Sequence, residues 1–257
     1  MNQQFSITRF GRLFAKHTAE HYRAYLMSFL VVLGSLFIFF AFRNVMTQRP
    51  MEIRDQVMTF GFTFILTGSL FTSSVFSDLG QPRTAIASLT LPASALEKFM
   101  VKWIYTYAIF QLIFVGSFYL ALQPTQKMTA AAAHPGEIMN LFREPELVNI
   151  FLAYTVLHSF TMLCALLFKK LHFVKTGFVI LIFFVVFTMV NKLIMQGMTG
   201  RQVFSAVPFL NLGFEEHNEY HLLSIPEESA YIFYMFAVVA AVIIWSAAYF
   251  RLKEKQV

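Results

Sequence analysis

Cysteine is almost absent. Cys164 is the only one in 257 residues, so no internal disulfide can form and a disulfide-stapled secreted domain is excluded. Charge is scarce as well. Lys, Arg, Asp and Glu make up 13% of the chain, against roughly 25% in soluble domains. Residues of the AVILMFWYC set make up 57%, which excludes a disordered chain and a soluble enzyme of ordinary composition. None of the 11 glycines is followed by lysine, so the Walker A loop is missing and the chain cannot bind ATP by that route. The Gly-x-Ser-x-Gly elbow and the Gly-x-Gly-x-x-Gly loop are absent too, and no cofactor is implied.

What is present is apolar length. There are 32 Phe, 10 Tyr and 2 Trp, and six segments are long enough to cross a bilayer. They lie at about 24–42, 57–77, 103–122, 148–168, 176–195 and 231–250. The first holds 19 residues without a charge, about 28 Å as a helix, which matches a hydrocarbon core of roughly 30 Å. No soluble domain interrupts the spans. The expected architecture is an all-α membrane protein, a single transmembrane domain over residues 1–257.

Charge sets the expected direction. With both termini cytoplasmic, 13 of the 20 Lys and Arg fall inside with 4 acidic residues, and 7 fall outside with 10. The net +6 is therefore a topology signal and implies no nucleic-acid partner. Within residues 1–23, Arg9, Arg12, Lys16, Glu20 and Arg23 are spaced 3, 4, 4 and 3 apart and share a helix face, with Phe10, Leu13, Phe14 and Tyr22 away from it. This predicts an amphipathic helix lying in the cytoplasmic interface. It serves either as an anchor on anionic membrane lipid or as an arm that moves with a soluble partner.

The inner segment 78–102 carries the most local information. Pro82 can open a short helix and Pro92 ends it. Ser94 and Glu97 then form Ser-x-x-Glu, a capping box that starts a new helix near Ala95. Ile86, Leu89 and Leu91 lie on the short element between the prolines. It is either a tight connector packed on the bundle or a docking knob. On the outer side, residues 196–230 mix apolar residues with five Glu and are expected to dip into the interface as short helices. Within them His217 and His221 are four apart and would share a helix face, as metal ligands do. The zinc-protease order His-Glu-x-x-His is not met, because Asn218 stands where the base belongs. A solvated acidic loop is the competing reading and the one adopted. The glycines and threonines of the second span (Gly61, Gly68, Thr59, Thr63, Thr67) mark close helix packing, with a substrate path as the alternative.

The stretch Phe71-Thr-Ser-Ser-Val-Phe-Ser-Asp78-Leu-Gly, followed by Leu89-Thr-Leu-Pro92-Ala-Ser94-Ala-Leu-Glu97-Lys98-Phe, is similar to the Leu-Pro-x-Ser/Thr-x-x-Glu pattern between spans two and three of bacterial type-2 ATP-binding-cassette (ABC) transporter permeases. The six spans and the basic amphipathic N-terminus also resemble that family. The resemblance implies a permease of an exporter in the bacterial inner membrane, with no ATPase activity of its own. It implies a separate ABC ATPase subunit and a second permease copy as partners. Arg83, Ile86, Leu89, Leu91, Pro92, Ser94 and Glu97 would form the ATPase-coupling loop, the N-terminal helix would also touch the ATPase, and paired short extracellular helices would precede the sixth span. An integral-membrane metal-dependent hydrolase and a non-transporting membrane scaffold are the alternatives.

Overall fold

The computed structural model describes residues 5–76, 93–129, 137–168, 172–200, 202–206, 212–216, 219–223 and 227–255. Helices dominate: α1 (Ile7–Thr47), α2 (Ile53–Ser74), α3 (Ala95–Trp103), a π-helical turn (Ile104–Ile109), α4 (Phe110–Thr129), α5 (Pro145–Leu167), α6 (His172–Thr199) and α7 (Glu227–Glu254). Among the described residues six helical stretches are long and apolar enough to span a membrane, with α3, the π-turn and α4 forming one of them. The protein is an all-α, multi-pass membrane protein, as its hydropathy predicts.

Two expectations need correction. The amphipathic segment and the first span are not separate elements. They form one helix of 41 residues, about 60 Å long. No proline breaks it, and its inward stripe runs on without a phase change through Phe10, Phe14, His17, His21 and Tyr25 to Leu36, Phe40 and Asn44. The second correction concerns the segment before the last span. In place of paired short helices, its described residues form an antiparallel sheet ordered β1 (Gln202–Ala206), β2 (Leu212–Glu216), β3 (Glu219–Leu223). Val203 is buried while Gln202 and Phe204 are exposed, the period-2 alternation of a half-buried strand. Val203 and Phe214 pack on Met195 at the end of α6.

An aromatic core joins α1, α2, α4 and α5. Phe40, Phe60, Phe64, Phe114, Phe118 and Tyr154 are buried together. Phe60 meets Phe118 edge-on at 5.1 Å between centroids, a favoured ring geometry. The glycines of α2 face α5: Gly61 lies against Ile150, and Gly68 lies against Tyr154 so closely that a Cβ there would sit 2.3 Å from the ring. Thr63 and Thr67 donate to their own backbone four residues back, at 2.6 Å each. The small-residue pattern thus serves helix packing.

Polar side chains pin both ends. At the end where α2 starts, Gln56 is fully buried. It donates to the carbonyls of Met51 (2.7 Å) and Glu137 (2.8 Å) and accepts from the Met139 N–H (2.9 Å). Gln126 accepts from the Met51 N–H (3.0 Å) and donates to the Met51 carbonyl (2.9 Å), and Asn44 donates to the Thr125 carbonyl at 2.7 Å. At the opposite end Lys102 donates to the Val75 carbonyl, which closes α2, at 2.9 Å. Lys255 donates to the Leu166 carbonyl at the end of α5. A cation on the free carbonyls of a helix C-terminus is electrostatically favourable.

Candidate functional site

The start of the third span, beside the N-terminal arm, holds the buried charged residues found among the described residues, Glu97, Lys98 and Lys102. It begins with the local sequence Ser94-Ala-Leu-Glu97. The Ser94 hydroxyl accepts the Glu97 N–H at 3.2 Å, and Glu97 Oε2 accepts the Ser94 N–H at 2.8 Å. This is the full capping box that the spacing predicts. The other carboxylate oxygen reaches across the fold. Glu97 Oε1 accepts the Ser6 N–H at 2.8 Å and the Arg9 guanidinium at 3.2 Å. Ser6 is the N-cap position of α1, and its own side chain makes no capping bond. One carboxylate therefore caps two helices. Glu97 is fully buried, a location that an ionised group tolerates only when paired and hydrogen-bonded on both oxygens.

This geometry divides the basic stripe. Arg9 turns inward to Glu97, whereas Arg12, Lys16 and Arg23 stay exposed. Lys16 pairs loosely with Glu20 at 3.7 Å, and Arg23 donates to the Tyr22 hydroxyl at 2.9 Å. The apolar side of the arm is not given over to lipid. Phe14, His17 and Tyr25 surround the ring of Tyr105 at 4.9, 4.8 and 5.2 Å between centroids, and Thr18 hydrogen-bonds the Tyr105 hydroxyl. His17 Nε2 and the Tyr25 hydroxyl lie 2.7 Å apart, and the His17 and His21 rings stack at 4.4 Å. The arm is thus docked on its own third span.

Tyr105 belongs to the π-turn, and the next two residues face the opposite way. The Tyr154 hydroxyl donates to the Thr106 carbonyl at 2.8 Å. Thr106 Oγ1 donates to the Lys102 carbonyl at 2.8 Å, which leaves its oxygen to accept from His158 Nε2 at 2.9 Å. The Trp245 indole N–H donates to His158 Nδ1 at 3.1 Å, so the imidazole carries its proton on Nε2. The Tyr107 hydroxyl bonds the Thr155 hydroxyl at 2.7 Å. Both tryptophans of the chain, Trp103 and Trp245, meet edge-on at 5.4 Å beside Tyr107. His158 thus finds its hydrogen-bond partners inside the bundle, one from the π-turn and one from α7.

The extra residue of the π-turn has a sequence origin. Below the turn the inward positions are Glu97, Val101 and Tyr105; above it they are Phe110, Phe114, Phe118 and Leu122. The step from Tyr105 to Phe110 is five, where an α-helix allows three or four. A plain helix would bring in Leu112, which is 76% exposed, and turn out Phe114, which is buried. The Phe110 N–H accordingly bonds the Tyr105 carbonyl five residues back. This signal was present in the sequence, hidden because apolar residues lie on every side of the segment.

The remaining candidates fall elsewhere. Arg83, Ile86, Leu89, Leu91 and Pro92 lie outside the described residues, as does His217. His221 is on β3, paired with Phe214 in the register. A strand position for His221 is not the helix face that the metal-ligand reading required. Among the described residues no three His, Cys, Asp or Glu side chains gather as a metal centre needs. Compared with protein-family models, curated proteins and solved structures, the chain matches none.

Proposed function

We propose that the chain is the membrane-spanning permease subunit of an ATP-driven (ABC) exporter, working as a pair of permeases with a separate ATPase. Both termini face the cytoplasm of a bacterial inner membrane, and ATP hydrolysis belongs to the partner. One observation supports this reading above the others. The two segments that the resemblance assigns to ATPase contact, the N-terminal arm and the helix start after Leu91-Pro92-Ala-Ser94, are joined by the single buried carboxylate of Glu97. A load placed on either segment is transmitted to the third span through a rigid cap, where a floppy loop would absorb it. Glu97 therefore works inside the chain, and the partner-facing groups of the arm are the exposed Arg12, Lys16 and Arg23.

The test is affinity capture of the tagged full-length protein from its native membranes in mild detergent, with partners identified by mass spectrometry. The expected result is a stoichiometric soluble protein with a Walker A loop, lost in Leu91→Asp while the variant still inserts. Capture of no ATPase even after crosslinking, or undiminished capture by Leu91→Asp, overturns the reading.

A further inference from the structure

We infer that the π-turn Ile104–Ile109 is a one-residue register joint, and that its movement releases the N-terminal arm. The turn divides the third span into two differently anchored parts. Above it, Phe114 and Phe118 are locked into the aromatic core with Phe40, Phe60 and Phe64. At its lower edge, Tyr105 in the first part of the turn and Glu97 on α3 are the two residues that hold the arm. A π-turn closes to an α-turn by moving one residue past the joint, which rotates the lower part by about 100° and shifts it about 1.5 Å.

The sequence on either side of the contact makes this movement a switch. After a one-residue shift, Lys98 occupies the place of Glu97 and Thr106 the place of Tyr105. The Ser6 N–H and Arg9 then face an ammonium where they had a carboxylate, and Phe14, His17 and Tyr25 lose the ring they surround. Both attachments fail in the same motion, so the arm is docked in one register and repelled in the other. The docked register is held by hydrogen bonds from α5 to Thr106: the Tyr154 hydroxyl on its carbonyl and the His158 imidazole on its hydroxyl. In the shifted register Thr106 has turned away from both. The joint stands on this geometry alone. The permease reading supplies only what would dock on the freed arm.

The test uses the full-length protein in lipid nanodiscs, with Cys164→Ala and spin labels at Arg12→Cys and Leu96→Cys, both exposed positions. Pulsed electron-spin distance measurement reads docking directly, and Glu97→Lys supplies the reference distance for the freed arm. Wild type should show one dominant, docked distance. Tyr154→Phe keeps the ring and removes the hydroxyl, and should raise the freed population about fivefold, the worth of one hydrogen bond of ordinary net strength. Deleting Ala108 places Tyr105 four residues before Phe110, so the span becomes a plain α-helix with Glu97 still under the arm. That deletion should return Tyr154→Phe to the docked distance, which repair of a merely structural defect would not do. If Tyr154→Phe does not fold, His158→Gln is read in its place. An unchanged distance in the unlatched variant, or a freed arm that persists after the deletion, overturns the joint. Because no ATPase is present, these outcomes are independent of the capture experiment.

Discussion

The carboxylate of Glu97 accepts the backbone N–H of Ser6, 91 positions earlier in the chain, at 2.8 Å. Through this bond the first helix begins where the third span begins, and both helix starts depend on one side chain. Glu97→Ala should leave the Ser6 and Ser94 N–H groups without their acceptor and cost about 2 kcal/mol, the loss of a good cap plus a charge-assisted bond. Arg9→Ala should cost under about 1 kcal/mol, because the Arg9 side chain is 40% exposed and solvent screens its pairing. Thermal unfolding in detergent measures the difference. Limited trypsin digestion at Arg9 and Arg12 should speed up far more in Glu97→Ala than in a variant of the exposed Lys16.

Gly61 and Gly68 are seven apart on α2 and both face α5, yet alanine should affect them unequally. At Gly68 the new methyl meets the rings of Tyr154 and Phe110, at 2.3 and 2.9 Å. Both rings are packed, and relief requires backbone movement, for an overpacking cost of about 1–3 kcal/mol. At Gly61 the methyl meets the flexible end of Ile150 at 2.8 Å, which can change rotamer. Gly68→Ala should lower the unfolding temperature clearly and Gly61→Ala only slightly. Equal effects would mean that α2 and α5 do not pack on Tyr154 as described.

Gln56→Leu keeps the approximate volume at the start of α2 and removes a fully buried amide. It strands the Met139 N–H and the Glu137 carbonyl, each at a desolvation cost of about 1–3 kcal/mol. Gln56→Glu retains the acceptor for Met139 but loses the donor to both carbonyls. Both variants should loosen the segment after Gly136, seen as faster amide hydrogen exchange at Met139, with α1 and the arm unaffected.

The legible parts of this protein were those encoded over short distances. The six spans can be read because each needs only an unbroken apolar stretch, a property of neighbouring residues. The Ser94–Glu97 capping box can be read because both partners lie within four residues. The choice between packing and a substrate path for Gly61 and Gly68 was open in the sequence and is decided by Ile150 and Tyr154 of α5. The strands before the last span were missed because apolar and acidic residues were mixed without a clear period. Val203 and Phe214 became an inward pair only through their contact with Met195.

Composition and local spacing by themselves determined that this is a membrane protein with six segments long and apolar enough to span, where its third span opens, and that its N-terminal segment is a charged helix. Only the tertiary structure decided that this helix runs unbroken into the first span, that Arg9 turns inward from its stripe, and that Glu97 caps two helices. It also decided that the third span holds a π-turn with Tyr105 toward the arm and Thr106 toward His158 and Tyr154. The reason is that hydropathy is a property of each residue, whereas the orientation of a side chain in an all-apolar segment depends on which neighbours it meets. In a chain where apolar residues surround every helix, only the packed structure reveals those neighbours.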